Sequence, residues 1–105
     1  MKILDLDQSA DNAAELLKTL ANPTRLRILC LLARSELSVG RIADRLRLRE
    51  ANVSQHLTLL RKDGLVRTRR DGQTIHYAID DPAALRVLKT LHKIFCRPPA
   101  RRVRA

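Results

Sequence analysis

The chain is nearly devoid of aromatic residues: it has no Trp, one Phe and one Tyr. A core without rings must be filled by Leu, Ile, Val and Ala, which suits a mostly helical protein. Long apolar runs are missing as well. The longest uninterrupted one, Ile28 to Ala33, is far too short to span a bilayer. The first residues lack the charged-then-apolar pattern of a secretory leader, so the chain is expected in the cytoplasm and not at a membrane. In that compartment its two cysteines are not expected to form a permanent structural bridge. There is no Cys-x-x-Cys pair, no glycine-rich phosphate loop and no acid–base cluster, which argues against an enzyme.

Acidic residues are also scarce. Against 21 Lys and Arg stand 11 Asp and Glu, a formal net charge of +10 over 105 residues. That length makes one domain with a small core, and that charge favours a polyanionic partner, usually nucleic acid. The charge is unevenly spread. Asp5, Asp7, Asp11 and Glu15 make the first twenty residues net acidic. Between Arg41 and Arg70 the cations Arg41, Arg45, Arg47, Arg49, Arg61, Lys62, Arg67, Arg69 and Arg70 face only Asp44, Glu50 and Asp63.

At the centre of that basic region lies Ala51 to Gly64. Val53, Leu57 and Leu60 recur at helical spacing and make one face apolar. Arg61 and Lys62 suit the last turn of a helix, and Gly64 suits its C-terminal cap. The outer face carries Asn52, Ser54, Gln55 and Thr58, amides and hydroxyls of the kind that reach base edges. The stretch reads as a DNA recognition helix. His56 is a phosphate candidate or a packing residue. Before it, Ser38 caps a short helix from Val39 to about Leu46, and Arg47-Leu48-Arg49 forms the link. Two short helices so joined make a helix-turn-helix. Arg47 stands where glycine often sits in such a turn, so the turn is strained there or Arg47 faces a phosphate.

The flanks fit this centre. Ser9 or Asp11 caps a first helix with Ala10, Ala13, Ala14, Leu17, Leu20 and Ala21 as its stripe, for the core or for a dimer contact. Asn22-Pro23 starts a second helix, to Arg34, apolar nearly all round and expected to be buried. After Gly64 the period becomes two. Strands Leu65–Arg70 and Gln73–Ile79 flank an Asp71-Gly72 turn and form a basic wing, with Arg69 and Arg70 as backbone or minor-groove candidates beside Arg47 and Arg49. Asp81-Pro82 opens a last helix with two apolar faces, one for the core and one for a partner subunit. Residues 1–97 form the domain, and residues 98–105 are expected to be a disordered basic tail. The fold class expected is mostly α with a small β-hairpin, in the order α-α-α-α-β-β-α.

Three segments carry a family resemblance: Leu20-Ala21-Asn22-Pro23-Thr24-Arg25-Leu26-Arg27-Ile28-Leu29, then Ser54-Gln55-His56-Leu57 with Leu60-Arg61, then Gly64-Leu65-Val66. The chain resembles the ArsR/SmtB family of winged-helix repressors over roughly residues 14–96. The resemblance implies a homodimer joined by its first and last helices that holds a palindromic duplex operator until an inducer binds. Many members sense metals, but the thiol positions of one common site are Ser38 and Gly40 here. For another, the last helix opens Asp80-Asp81-Pro82-Ala83 with only His92 downstream. Cys30, Cys96 and His92 offer three ligands where zinc wants four, so no metal or other cofactor is expected.

By composition alone, Cys30 and Cys96 read as small core residues. Their settings, Arg27-Ile28-Leu29-Cys30 and Ile94-Phe95-Cys96, are instead similar to the paired thiols of the persulfide-responsive BigR/SqrR/YgaV subgroup. That resemblance implies a disulfide or polysulfide link between Cys30 and Cys96 as the switch, with persulfide or polysulfide as inducer. Cys96, in the last turn, is expected to be the more accessible thiol; Cys30, among leucines, is expected to be poorly ionised. The alternatives are a metal- or peroxide-sensing repressor of the same family, or an architectural nucleic-acid binder without an inducer.

Overall fold

The computed structural model describes Asp7 and residues 9–96. The basic tail at 98–105 lies outside the described residues. Five helices and three short strands follow in chain order: α1 (Ala10–Leu20), α2 (Pro23–Leu32), β1 (Leu37–Ser38), α3 (Val39–Leu46), α4 (Glu50–Lys62), β2 (Val66–Asp71), β3 (Thr74–Ile79) and α5 (Pro82–Phe95). The strands form one antiparallel sheet in the order β1-β3-β2.

Local chemistry sets the helix starts. The Asn22 carboxamide oxygen accepts from the backbone N–H of Thr24 and Arg25 at the head of α2. Ser38 Oγ accepts from Arg41 N–H at the head of α3, and Asp81 Oδ1 from Ala83 N–H at the head of α5. Each cap satisfies amide donors that a helix start leaves without partners, for about 1 kcal/mol apiece. Ser9 stands at the N-cap of α1, but its side chain makes no capping bond.

Two helices end in the same hydrogen-bonded turn. After α4, Gly64 takes φ +78°, its N–H donates to Arg61 O, and Leu65 N–H donates to Leu60 O at 2.9 Å. After α3, Arg47 takes φ +57° and ψ +46°, its N–H donates to Asp44 O, and Leu48 N–H donates to Ala43 O at 3.0 Å. The paired bonds are those of a Schellman motif, whose left-handed residue is usually glycine. Arg47 is the one non-glycine residue with positive φ among the described residues. The turn joining α3 to α4 is therefore strained where the sequence places an arginine in glycine's usual position.

Apolar side chains from four helices close over one another. Ile28 and Leu29 of α2, Ile42 of α3, Val53, Leu57 and Leu60 of α4, and Ala84 of α5 are all completely buried. No polar or charged residue is buried among the described residues. Burying a Leu, Ile or Val side chain contributes about 1.5–3 kcal/mol, so the three α4 anchors fix that helix firmly.

Several expectations are corrected. β1 was not foreseen; two residues are too few to show a period. The hairpin turn is Gly72-Gln73 rather than Asp71-Gly72, because Asp71 pairs with Thr74. Glycine leads the loop with φ +65°, as a turn with a positive first φ requires. α2 is not buried all round: it ends at Leu32, and Arg27 and Cys30 are exposed. On α1 the core takes Leu20, with Leu16 against it, while Leu17 of the expected stripe is 58% exposed. On α5 the core takes Ala84 and Leu88, and the far end leaves Ile94 at 56% and Phe95 at 70% exposure.

Replacing Arg47 by Gly removes a left-handed strain of about 1–2 kcal/mol at an entropic cost of up to about 1 kcal/mol. The expected result is a higher urea midpoint, by up to about 1 kcal/mol in unfolding free energy. A lower midpoint would show that the turn is unstrained.

Candidate nucleic-acid interface and thiol pair

α4 presents a polar face because its apolar one is fully used. With Val53, Leu57 and Leu60 inward, the exposed residues are Glu50, Ala51, Asn52, Ser54, Gln55, Thr58, Leu59, Arg61 and Lys62. At 100° per residue, Gln55 and Thr58 lie near the middle of the outward arc, with Asn52 and Ser54 at its two margins. Thr58 Oγ1 donates to Ser54 O at 3.0 Å, which uses its proton and leaves its lone pairs. Leu59, 40% exposed, shares this arc and went unremarked in the sequence reading; an exposed leucine there is an apolar surface of the kind that meets a thymine methyl.

His56 is set apart from that arc. It is half-buried, and its Nδ1 accepts from Arg25 Nε at 3.3 Å. Burial first, and the Arg25 charge second, push its pKa below the ordinary imidazole value. An accepting Nδ1 belongs to the neutral ring with its proton on Nε2. The structure thus supplies a packing partner for His56, with Nε2–H left as its donor. Arg25 is separated from His56 by 31 residues, so nothing local in the sequence announces the pair.

The link before α4 exposes Arg47 and Arg49, and Arg49 holds the N-cap position without a side-chain capping bond. Arg41 and Arg45 on α3 and Arg61 and Lys62 at the end of α4 are exposed too. On the wing, cations are already engaged. Arg67 Nη1 donates to Ile79 O at 2.7 Å and lies 3.6 Å from Asp80. Arg69 grips Glu36, with Nη2 2.9 Å and Nε 3.0 Å from Oε1. That grip holds the Glu36 carboxyl below the usual carboxylate range. Water and salt screen exposed ion pairs, so both are exchangeable. Arg70 reaches the Gly72 carbonyl at 3.5 Å, at the tip.

The cysteines lie on the second and last helices. Cys30 is on α2, and Cys96 caps the end of α5, its N–H donating to His92 O. Both are free and exposed. Cys30 is exposed although α2 was expected to be buried nearly all round, because it lies on the side of α2 away from the buried Ile28, Leu29 and Leu32. Protein atoms crowd Cys30 enough to push its pKa up, and the charge of Cys96 raises it further. Among the described residues, no group of three or more His, Cys, Asp or Glu side chains is placed to hold a metal ion. No helix among them is long and apolar enough to cross a membrane.

A helix-turn-helix whose second helix turns amides and hydroxyls outward, followed by a basic hairpin, defines a winged helix-turn-helix DNA-binding protein. The family described as "Bacterial regulatory protein, arsR family" matches residues 22–68, from the α2 cap into the wing. The transcriptional activator HlyU of Vibrio cholerae is 40% identical over 97 residues, covering 92% of this chain and 90% of its own. The regulator YgaV of Escherichia coli is 38% identical, with 90% and 97% covered. Among solved structures, the transcriptional repressor BigR from Xylella fastidiosa superimposes with a TM-score of 0.87 at 36% identity, covering 93% of this chain and all of that one. A structure described as reduced HlyU from Vibrio cholerae gives 0.84 at 40% identity, with 90% and 100% covered. The chain belongs to the ArsR family of transcriptional regulators. These relatives are regulators of transcription, not enzymes.

The depressed pKa of His56 has a readable consequence. The folded state prefers the neutral ring, so this contribution to stability is whole above about pH 6.5 and is lost as pH falls through the lower folded value. Urea midpoints taken at about pH 7.5 and pH 5 should fall less in His56→Gln than in the parent. An equal fall in both would detach His56 from the acid sensitivity of the fold.

Proposed function

We propose that the chain is a homodimeric repressor that grips a palindromic duplex operator and releases it when Cys30 and Cys96 become linked in response to persulfide or polysulfide. The observation that carries this reading is the thiol pair: two free, exposed cysteines, one on α2 and one at the end of α5, with the charge of Cys96 among the causes that raise the Cys30 pKa. The relative whose structure is described as reduced lends support to a redox role. Persulfide chemistry needs no further reactant. The Cys96 thiolate attacks the sulfane sulfur of a persulfide RSSH and expels the thiolate RS⁻. Cys30 then attacks the Cys96 sulfur of the resulting Cys96–S–SH, forming the disulfide and expelling hydrosulfide. Two thiols are oxidised and one sulfane sulfur is reduced. A bridge extended by further sulfane sulfur would span a longer gap than a disulfide, which needs Cα atoms within about 7 Å.

Leu17, Ile94 and Phe95, exposed on α1 and α5, are the surface assigned to the partner subunit. In a two-fold dimer the recognition helices must sit about 34–36 Å apart to meet successive major grooves. A link between α2 and α5 joins the frame behind α4 to the helix assigned to the dimer contact, so it changes that spacing. Asn52, Ser54, Gln55 and Thr58 read the major groove. Arg47, Arg49, Arg69, Arg70 and the Nε2–H of His56 meet the DNA backbone or minor groove.

Two measurements test the reading. In a gel shift on the chain's own promoter, Cys96→Ser and Cys30→Ser should bind like the parent when reduced and fail to release after persulfide treatment. Intact mass should show the link only in the parent, with peroxide and zinc as comparison treatments. Release of either variant by persulfide overturns the thiol switch while leaving DNA binding untouched. Gln55→Ala should weaken operator binding by about 1–3 kcal/mol and leave mixed-sequence binding nearly unchanged. A uniform loss on both duplexes would move Gln55 from base reading to the backbone.

A further inference from the structure

Arg67 and Arg69 alternate along β2 and so share one face of the wing. The structure gives each a carboxylate, but the two pairs differ. Arg67 is also tied to the backbone through the Ile79 carbonyl at 2.7 Å, at the base of the hairpin. Among the described residues the hydrogen-bond partner of the Arg69 side chain is Glu36, which comes from the loop after α2 and meets the guanidinium through Nε and Nη2 together. Arg69 pairs across the sheet with His76, and His76 with Ser38, so the contact straps the outer strand to the segment leading into β1. The pair is exposed, at 54% for the arginine side chain and 34% for the glutamate. A guanidinium fork accepts a carboxylate and a phosphate in the same two-toothed geometry.

We propose that Glu36 is an internal stand-in for a DNA phosphate: it occupies the Arg69 fork in the free protein and is displaced by the sugar–phosphate backbone when the wing meets a duplex. The inference rests on the DNA-binding reading above and adds to it a residue that sets affinity from outside the contact surface. Glu36 is a competitor, so its removal strengthens binding. It acts through Arg69, so its effect disappears when Arg69 is gone. Weak encounters led by the wing are discouraged, because an ion pair must be given up before the wing gains one.

The test uses the full chain and a fluorescein-labelled mixed-sequence duplex, whose phosphates supply the contact without knowledge of the operator. Glu36→Gln should bind up to about five-fold tighter, the worth of an exposed ion pair. Arg69→Gln should bind more weakly, with a log–log salt slope shallower by about 0.9. The double variant should match Arg69→Gln alone. Asp80→Asn, which removes the same charge beside the anchored Arg67, should show no comparable gain. Urea midpoints confirm that each variant is folded, and Glu36→Ala repeats the gain if charge rather than shape is responsible. Unchanged or weaker binding by Glu36→Gln overturns the proposal and makes the pair a strut. A gain that persists without Arg69, or that Asp80→Asn reproduces, overturns it in favour of through-space repulsion. If the parent binds no duplex, the DNA-binding reading falls too, and that outcome is distinct from the other two.

Discussion

Burial of Val53, Leu57 and Leu60 beneath one side of α4 is the interaction on which the rest of the structure depends. All three side chains are fully enclosed. They spend the apolar side of the helix completely, so its polar residues have nowhere to go but outward. The enclosure is built from α2, α3 and α5, through Ile28, Leu29, Ile42 and Ala84. Because no polar or charged residue is buried among the described residues, packing shape does most of the positioning of α4, with the half-buried Arg25–His56 hydrogen bond beside it. A displacement of any of those helices must therefore be taken up by the others.

The turn before α4 is the second constraint. Gly64 and Arg47 close α4 and α3 with matching hydrogen bonds and matching left-handed backbone. One position has glycine and the other tolerates an arginine at a cost. Strain of this kind is found where a side chain is needed for something other than folding. Arg47 lies between the two helices of the motif, exposed and beside Arg49, in the most basic part of the chain. In the proposed DNA-binding reading, the cation and the strain are two aspects of one choice. A glycine there would ease folding and contribute nothing to a polyanion.

Much of what was local was legible in the sequence. Asn22, Ser38 and Asp81 each cap a helix through an amide two or three residues away, and Gly64 closes α4 through bonds equally short in range. The period of Val53, Leu57 and Leu60 fixed the inner side of the recognition helix before any coordinates. The hairpin turn slipped by one residue because Asp-Gly is itself a favoured turn pair, and other misses were non-local or too short. Glu36 and Arg69 are 33 residues apart, and Arg25 and His56 are 31 apart, so neither pair leaves a pattern. β1 holds only two residues. Cys30 was misplaced because its neighbours Leu29 and Leu31 are apolar, yet 100° per residue separates it from the buried side that Leu29 shares with Ile28 and Leu32.

That misplacement bears on how a switch of this design works. A cysteine sealed in the core would be protected from any oxidant and would need local unfolding before it reacted. In the proposed reading, an exposed Cys30 on a helix whose opposite side is packed would react without disturbing the core, and the mechanical effect would come afterwards. α2 carries Ile28 and Leu29 into the enclosure around α4, whereas α5 leaves that enclosure after Leu88 and runs outward to Phe95 and Cys96. In the proposed reading, a bond between these helices therefore pulls the packed frame against the exposed end. A close-packed interior passes such a pull on as a shift of whole helices rather than absorbing it. Coupling of about 1–3 kcal/mol is enough to change occupancy of an operator. A bond that displaces two or three buried leucines by a fraction of an ångström costs energy of that order, which suffices without any larger rearrangement of the fold.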